Sequence, residues 1–288
     1  MAAKRAVLIA GPTASGKSAL ALERARQIDA LIVNADALQV YDGLSVLTAR
    51  PGPADLAVAP HALYGFVTPA VRFSTGAWVA AAAQRIAEAG DRPLIFVGGT
   101  GLYFEALTNG FAEVPPVPAQ VVAEVEAELQ GLDAAGRQLL LAARDPEMAR
   151  RLRAPDPQRV ARALAVLKAT GRSLSLFQDA PQRGLLEAYA LEKVVLDPPR
   201  DVLAARIAAR FEKMLAAGAA DEVAALLARR LDASLPVMKA IGVREIADWL
   251  AGQVSEAAMI ESAVIATRQF AKRQRTWFRG RMADWQWL

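Results

Sequence analysis

The chain has no cysteine and one histidine, His61, among 288 residues. Without cysteine there is no disulfide, no thiolate metal site and no thiol nucleophile, and a reducing compartment fits. A single histidine excludes multi-histidine metal centres and most histidine-based acid–base schemes. No apolar run approaches the roughly 18 residues that a membrane span needs. The apolar stretch Ala6–Ala10 is too short for a signal peptide. The expectation is a soluble, cytoplasmic protein with no membrane partner, working as a monomer. Lysine is scarce too, 7 against 27 arginines. Arginine suits planar phosphate and base contacts better than lysine does. What is abundant is hydrophobic sequence, 54% of the chain, enough for one large or two small domains with a sizeable core.

Residues 11–18 read Gly-Pro-Thr-Ala-Ser-Gly-Lys-Ser and fit G-x-x-x-x-G-K-[ST] at every constrained position. The apolar run Ala6–Ala10 precedes them and a helix-like stretch follows, the strand–loop–helix context of a phosphate-binding P-loop. Glycines let backbone N–H groups turn inward around a polyphosphate, here from Gly11, Thr13, Ala14, Ser15 and Gly16. Lys17 would reach terminal phosphate oxygens, and the Ser18 hydroxyl would ligate a Mg²⁺ shared with them. The motif predicts a diphosphate or triphosphate ligand without saying what is done with it.

Apolar strands at Arg5–Ala10, Leu31–Asp36, Tyr64–Val67 and Pro93–Gly98 alternate with helices at Lys17–Ile28 and Thr75–Ala89. That alternation predicts a P-loop NTPase-like α/β fold with a parallel sheet. The Pro115–Pro118 linker opens a different region, rich in Glu and Arg and poor in strand signal. There Pro155-Asp156-Pro157 starts a helix, with Asp156 as N-cap and Gly171 as the stop. Strand signal returns at 193–197, Asp201 caps a helix through Ala217, and the remainder is helical. The expected organisation is an α/β core, 1–111 with 186–288, its C-terminal part helical, and a small all-helical insertion at 112–185.

Four groups carry candidate chemistry. Asp36 ends an apolar strand on the P-loop side of the sheet and could hold Mg²⁺, act as a base, or cap the next turn. Gln39 and Tyr41 follow it closely and could read a flat polar ligand. Gly98-Gly99-Thr100-Gly101 ends another strand, where glycines permit close approach of backbone or ligand. Arg206 and Arg210 lie four apart on one helical face, positioned for a phosphate or for solvent. Residues 268–281 hold six basic side chains and no acid; Arg268, Lys272, Arg275 and Arg279 form one helical stripe. Such a stripe suits a nucleic-acid backbone, as does a second cluster at Arg150, Arg151, Arg153, Arg159 and Arg162. A nucleic-acid-acting transferase, an RNA-linked ATPase and a small-molecule kinase all fit these features.

Taken together, Gly11–Ser18, Asn34–Tyr41, Thr48–Pro51, Gly98–Tyr103, Asp156–Leu164, Arg206–Met214, Met238–Glu245 and Thr267–Arg279 resemble the tRNA dimethylallyltransferases, also called tRNA isopentenyltransferases. The motifs stand in family order across nearly the whole chain. The resemblance implies transfer of a dimethylallyl group from its diphosphate to the exocyclic amine of an adenosine beside the tRNA anticodon. The P-loop and Arg210 would then hold the leaving diphosphate, and Asp36 would be the general base. Lys17 and Thr100 complete the implied catalytic group. The tRNA side is implied at Asp36, Ala37, Leu38, Gln39 and Thr100, at Gln158, Arg159, Val160, Ala161 and Arg162, and at Lys239 and Arg244. The chain departs from the family pattern at Ala37, often serine, and at His61-Ala62, often two histidines. A relative that prenylates free adenine nucleotides and a P-loop metabolite kinase are the alternatives; the basic stripe argues against the first, since a free nucleotide needs no such surface.

Overall fold

The computed structural model describes residues 4–152, 156–180 and 182–288. Arg153 and Pro155, which the sequence places in a basic cluster and at a helix start, lie outside them. The chain divides into two compact units, Met1–Thr108 with Gly184–Leu288, and Asn109–Arg183.

In chain order the first unit begins with β1 (Arg5–Ala10), α1 (Lys17–Ile28), β2 (Leu31–Asn34), α2 (Pro53–Val58) and β3 (His61–Ala62). It continues with α3 (Thr75–Ala89), β4 (Leu94–Gly98) and α4 (Gly101–Thr108). The second unit holds α5 (Ala119–Leu129), α6 (Ala134–Arg144), α7 (Pro146–Arg151), α8 (Pro157–Thr170) and α9 (Leu174–Asp179). The first unit resumes with β5 (Ala190–Val195), α10 (Arg200–Ala216), α11 (Ala219–Ala228), α12 (Val243–Leu250), α13 (Glu256–Arg281) and β6 (Gln286–Trp287).

The described strands make one six-stranded sheet in the order β3-β2-β4-β1-β5-β6, parallel throughout. Its central strands are buried on both faces, which is why they read as unbroken apolar runs. Alternation sorts them: Ala6, Leu8, Leu94 and Phe96 join the core with Trp78 and Ala82 of α3. Val7, Ile9, Ile95 and Val97 face Ala21 and Ala25 of α1. A parallel sheet puts every strand's carboxyl end on one edge, so the loops after β1, β2, β4 and β5 gather there.

In the second unit Val125, Leu129, Leu141, Met148, Val160 and Leu164 form a separate core. Asp156 caps α8 by accepting from the Arg159 N–H at 3.0 Å, and Gly171 ends the helix at φ 68°. No described helix is long and apolar enough to cross a membrane.

Two local expectations are corrected. Tyr64–Val67 is no strand: Leu63 and Gly65 take positive φ, 63° and 56°, and only Val67 bridges to Tyr41. The strand beside β2 on that side is the shorter β3. Asp201 does not cap α10, whose N-cap is Pro199; Asp201 lies in the first turn, where its charge still suits the helix dipole.

Candidate active site

The P-loop turns from β1 into α1 through two left-handed residues, Ala14 at φ 63° and Gly16 at φ 96°. Gly11 is wedged: a Cβ there would stand 2.6 Å from Ser15 Oγ and 3.0 Å from the Leu196 carbonyl. Gly16 caps α1 without any side-chain bond, so the first turn's N–H groups are left to a ligand. Lys17 folds back to donate to the Pro12 carbonyl at 3.2 Å. Removal from water pushes its ammonium down to about 8; nearby Asp36 opposes that shift and Arg210 adds to it. Arg210, on α10, points its Nη1 at Thr13 Oγ1, 3.5 Å away. Burial lowers its pKa as well, with Asp36 acting in the opposite sense. One turn earlier, Arg206 donates to the Ser15 carbonyl at 3.3 Å. Lys17 and Arg210, drawn out of bulk water beside the start of α1, suit a negatively charged ligand. The expectation of free loop N–H groups is corrected at two positions: the Thr13 N–H donates to Gln274 Oε1 at 2.9 Å and the Ser15 N–H to the Pro12 carbonyl at 3.2 Å.

Asp36 stands two residues past β2. Asn34, fully buried, shapes the turn: its Oδ1 accepts from the Asp36 N–H at 2.9 Å and its Nδ2 donates to the Asp36 and Leu63 carbonyls, both at 3.0 Å. Asp36 Oδ1 accepts from the Leu38 N–H at 3.0 Å. Thr100 brackets the same turn. Its N–H donates to the Ala35 carbonyl at 3.1 Å, and its Oγ1 accepts from the Ala37 N–H at 2.9 Å. Gly98 allows this approach, because a Cβ would lie 2.0 Å from the Ala35 carbonyl oxygen.

The P-loop end, Arg210 and Asp36 open into one cleft of about 340 Å³, whose lining does not include Thr100. Thr13, Lys17, Ser18, Asp36 and Arg210 supply polar walls; Leu47, Ile207, Phe211, Met214, Ile241 and Phe270 supply apolar ones. Ala14, Leu38, Gln39 and Lys239 also line it. The Gln39 expectation is corrected in part. Its amide N–H groups donate to the Thr48 and Ala49 carbonyls at 2.8 and 3.0 Å, so they tie down the wall loop and are not free to read a base.

The sequence profile described as IPP transferase matches residues 39–281, and the one described as isopentenyl transferase matches residues 4–62. The chain belongs to the IPP transferase family. A tRNA dimethylallyltransferase of Chelativorans sp. (strain BNC1) is 50% identical over 286 residues, 98% of either chain. A solved tRNA isopentenylpyrophosphate transferase from Bacillus halodurans superposes with a TM-score of 0.69 at 30% identity, covering 99% of this chain and 89% of that one. A eukaryotic dimethylallyltransferase solved acting on tRNA reaches a TM-score of 0.81 at 24% identity over 96% and 70% of the two chains, a likeness of fold.

The basic positions of this family member divide. Arg268 and Lys272 are exposed on α13 and, with Arg200, rim a groove of about 410 Å³ floored by Leu203, Ile207 and Ala271. Arg275 is corrected: only 13% of its side chain is exposed, and its Nε meets Asp197 Oδ1 at 2.6 Å. Arg279 reaches Asp197 Oδ2 at 3.0 Å but stays half exposed. The helical spacing was right, yet a carboxylate at the end of β5 draws these two cations inward. On α8, Gln158, Arg159 and Arg162 are exposed and Ala161 is half-buried. Val160 is corrected: it is wholly buried in the second unit's core, so its side chain has no surface to offer RNA. Arg244 is exposed on α12, 3.8 Å from Asp248.

Two residues escaped the sequence reading. Glu222 of α11 accepts from the Ser45, Val46 and Leu47 N–H groups at 2.7–3.0 Å and anchors the cleft's wall loop. Gln274 of α13 accepts from the Thr13 N–H at 2.9 Å. Each acts on a loop more than 170 residues away in sequence, and no local pattern marks such a partner.

Proposed function

We propose that the chain transfers a dimethylallyl group from dimethylallyl diphosphate to the N6 amine of the adenosine 3′ of the anticodon in tRNA, releasing diphosphate. The observation that carries this reading is the mixed cleft: a cationic P-loop end, an apolar wall suited to a five-carbon chain, and one carboxylate, all in about 340 Å³. The family membership agrees with it. The allylic C–O bond breaks and its electron pair leaves with the diphosphate. The adenine nitrogen forms the new C–N bond, and its proton passes to Asp36. Lys17, Arg210 and the loop N–H groups stabilise charge growing on the leaving oxygens. The amine is a weak nucleophile, so alignment supplies much of the acceleration.

The donor set fits a magnesium ion. Ser18 presents its hydroxyl to the cleft at the P-loop end, and Mg²⁺ is commonly held through one or two protein oxygens with phosphates and water completing its shell. Such an ion, when bound, neutralises charge on the diphosphate. Arg268 and Lys272 would meet the RNA backbone, with Gln158, Arg159 and Arg162 as further contacts. The protein would work as a cytoplasmic monomer.

The test is labelled dimethylallyl diphosphate offered with bulk tRNA, with AMP, and ATP offered alone. Label entering tRNA and not AMP is the expected result. Label entering AMP would make the chain a nucleotide prenyltransferase, and ATP turnover without RNA would make it a kinase.

A further inference from the structure

Gln274 sits in the most basic stretch of the chain, between Arg273 and Arg275, yet it is 6% exposed. A carboxamide is costly to bury unless its groups find partners. Both ends do. Oε1 accepts from the Thr13 N–H in the P-loop at 2.9 Å, and Nε2 donates to the Gly99 carbonyl at 2.9 Å. One side chain therefore joins the loop after β1 to the turn after β4.

The turn is built to receive it. A Cβ on Gly99 would lie 2.2 Å from Gln274 Nε2 and 3.3 Å from Asp36 Oδ2. One helical turn on, a Cβ on Gly101 would lie 2.2 Å from the Trp277 ring. From Gly99 the path runs to Thr100, whose N–H and Oγ1 hold Ala35 and Ala37 on either side of Asp36. Hydrogen bonds and three short backbone steps thus link the diphosphate loop to the carboxylate.

We propose that Gln274 is a positioning residue: it keeps the diphosphate loop in register with the Gly98–Thr100 turn, and through that turn aims the Asp36 carboxylate at the attacking amine. This rests on the transfer reading above. The bond that breaks and the bond that forms must be aligned, and a misplacement of about 1 Å can cost roughly 10²-fold in rate. Glutamate cannot replace the carboxamide, since it keeps an acceptor for Thr13 but sets a carboxylate oxygen against the Gly99 carbonyl. Leucine keeps neither bond. Gln274 does not titrate, so its loss should lower a pH–rate profile without moving it.

The experiment is single-turnover transfer of labelled dimethylallyl diphosphate to tRNA across pH, by the parent, Gln274→Glu, Gln274→Leu, Thr100→Ala and the Gln274→Leu/Thr100→Ala double. Rates are taken per diphosphate-binding site, so an unfolded fraction does not count. Each Gln274 variant should lose about 10–100-fold in rate; Gln274→Leu, which adds no titratable group, should do so with diphosphate and tRNA affinities within about threefold and an unshifted profile. The double should fall no more than about threefold below its worse single, because both act through one turn. Gly99→Ala, which crowds Nε2 from the other side, should show the same split and covers the case of a Gln274 variant that does not fold. Gln274 variants as fast as an active parent, or losses that multiply in the double, overturn the proposal alone. A parent that transfers no label overturns the transfer reading, and the proposal with it.

Discussion

Asp36 and Asp197 stand two residues past the ends of β2 and β5, on the same edge of the same sheet. Sequence makes them alike: an apolar strand, then a carboxylate. The helices opposite make them different. Asp197 faces α13, whose Arg275 and Arg279 close on it at 2.6 and 3.0 Å and leave it 10% exposed. Among the described residues no cation lies within 4 Å of the Asp36 carboxylate, which is steered by the Leu38 N–H and opens into the cleft. A carboxylate already neutralised by two arginines holds structure. One held by backbone alone, near Lys17 and Arg210 but paired with neither, keeps its charge for a substrate.

The comparison can be broken by substitution. Asp36→Ala should lower prenyl transfer by ~10²–10⁴, the usual loss for a general base, with tRNA affinity changed a few-fold at most. Steady-state rates beside filter binding check this. Lys17→Ala and Arg210→Ala should each cost about 10²–10³ in rate. Kinetics with each substrate varied in turn should put their defect on the diphosphate; a defect confined to the tRNA Michaelis constant would assign them to the RNA surface. Asp197→Ala leaves Arg275 nearly buried and unpaired, and should destabilise the fold by about 1–3 kcal/mol in denaturant melts. The smallest effect is expected on the outer stripe. Neutralising Arg268 and Lys272 to glutamine should reduce the salt slope of tRNA binding by roughly 0.7–0.9 log unit per residue. Arg275→Gln should lower the melting temperature and leave that slope unchanged.

Much of this was legible because the signals were local. The P-loop's apolar approach and helical exit set β1 at Arg5–Ala10 and α1 at Lys17–Ile28, the bounds the structure has. Patterning also marked α3 at Thr75–Ala89, and the caps of α8. The misses share a cause. Tyr64–Val67 has strand-forming residues, but Arg50 packs against Gly65, where a Cβ would lie 1.7 Å from its Nη1, and the chain turns there. β6, at Gln286–Trp287, is two residues whose only signal is the neighbour they pair with. The basic stripe was read as a single surface because charge spacing along α13 is local while Asp197 is not. Gln274 lies inside the Thr267–Arg279 motif, yet its two partners, Thr13 and Gly99, lie far up the chain.

The most direct measurement makes one change at both aspartates. Asp36→Asn and Asp197→Asn would be compared in single-turnover transfer to tRNA and in thermal melts of the same preparations. The account predicts that Asp36→Asn loses at least about 10²-fold in rate with its melting temperature kept, while Asp197→Asn melts lower and transfers within about threefold of the parent when folded. Transfer by Asp36→Asn within threefold of the parent would contradict it.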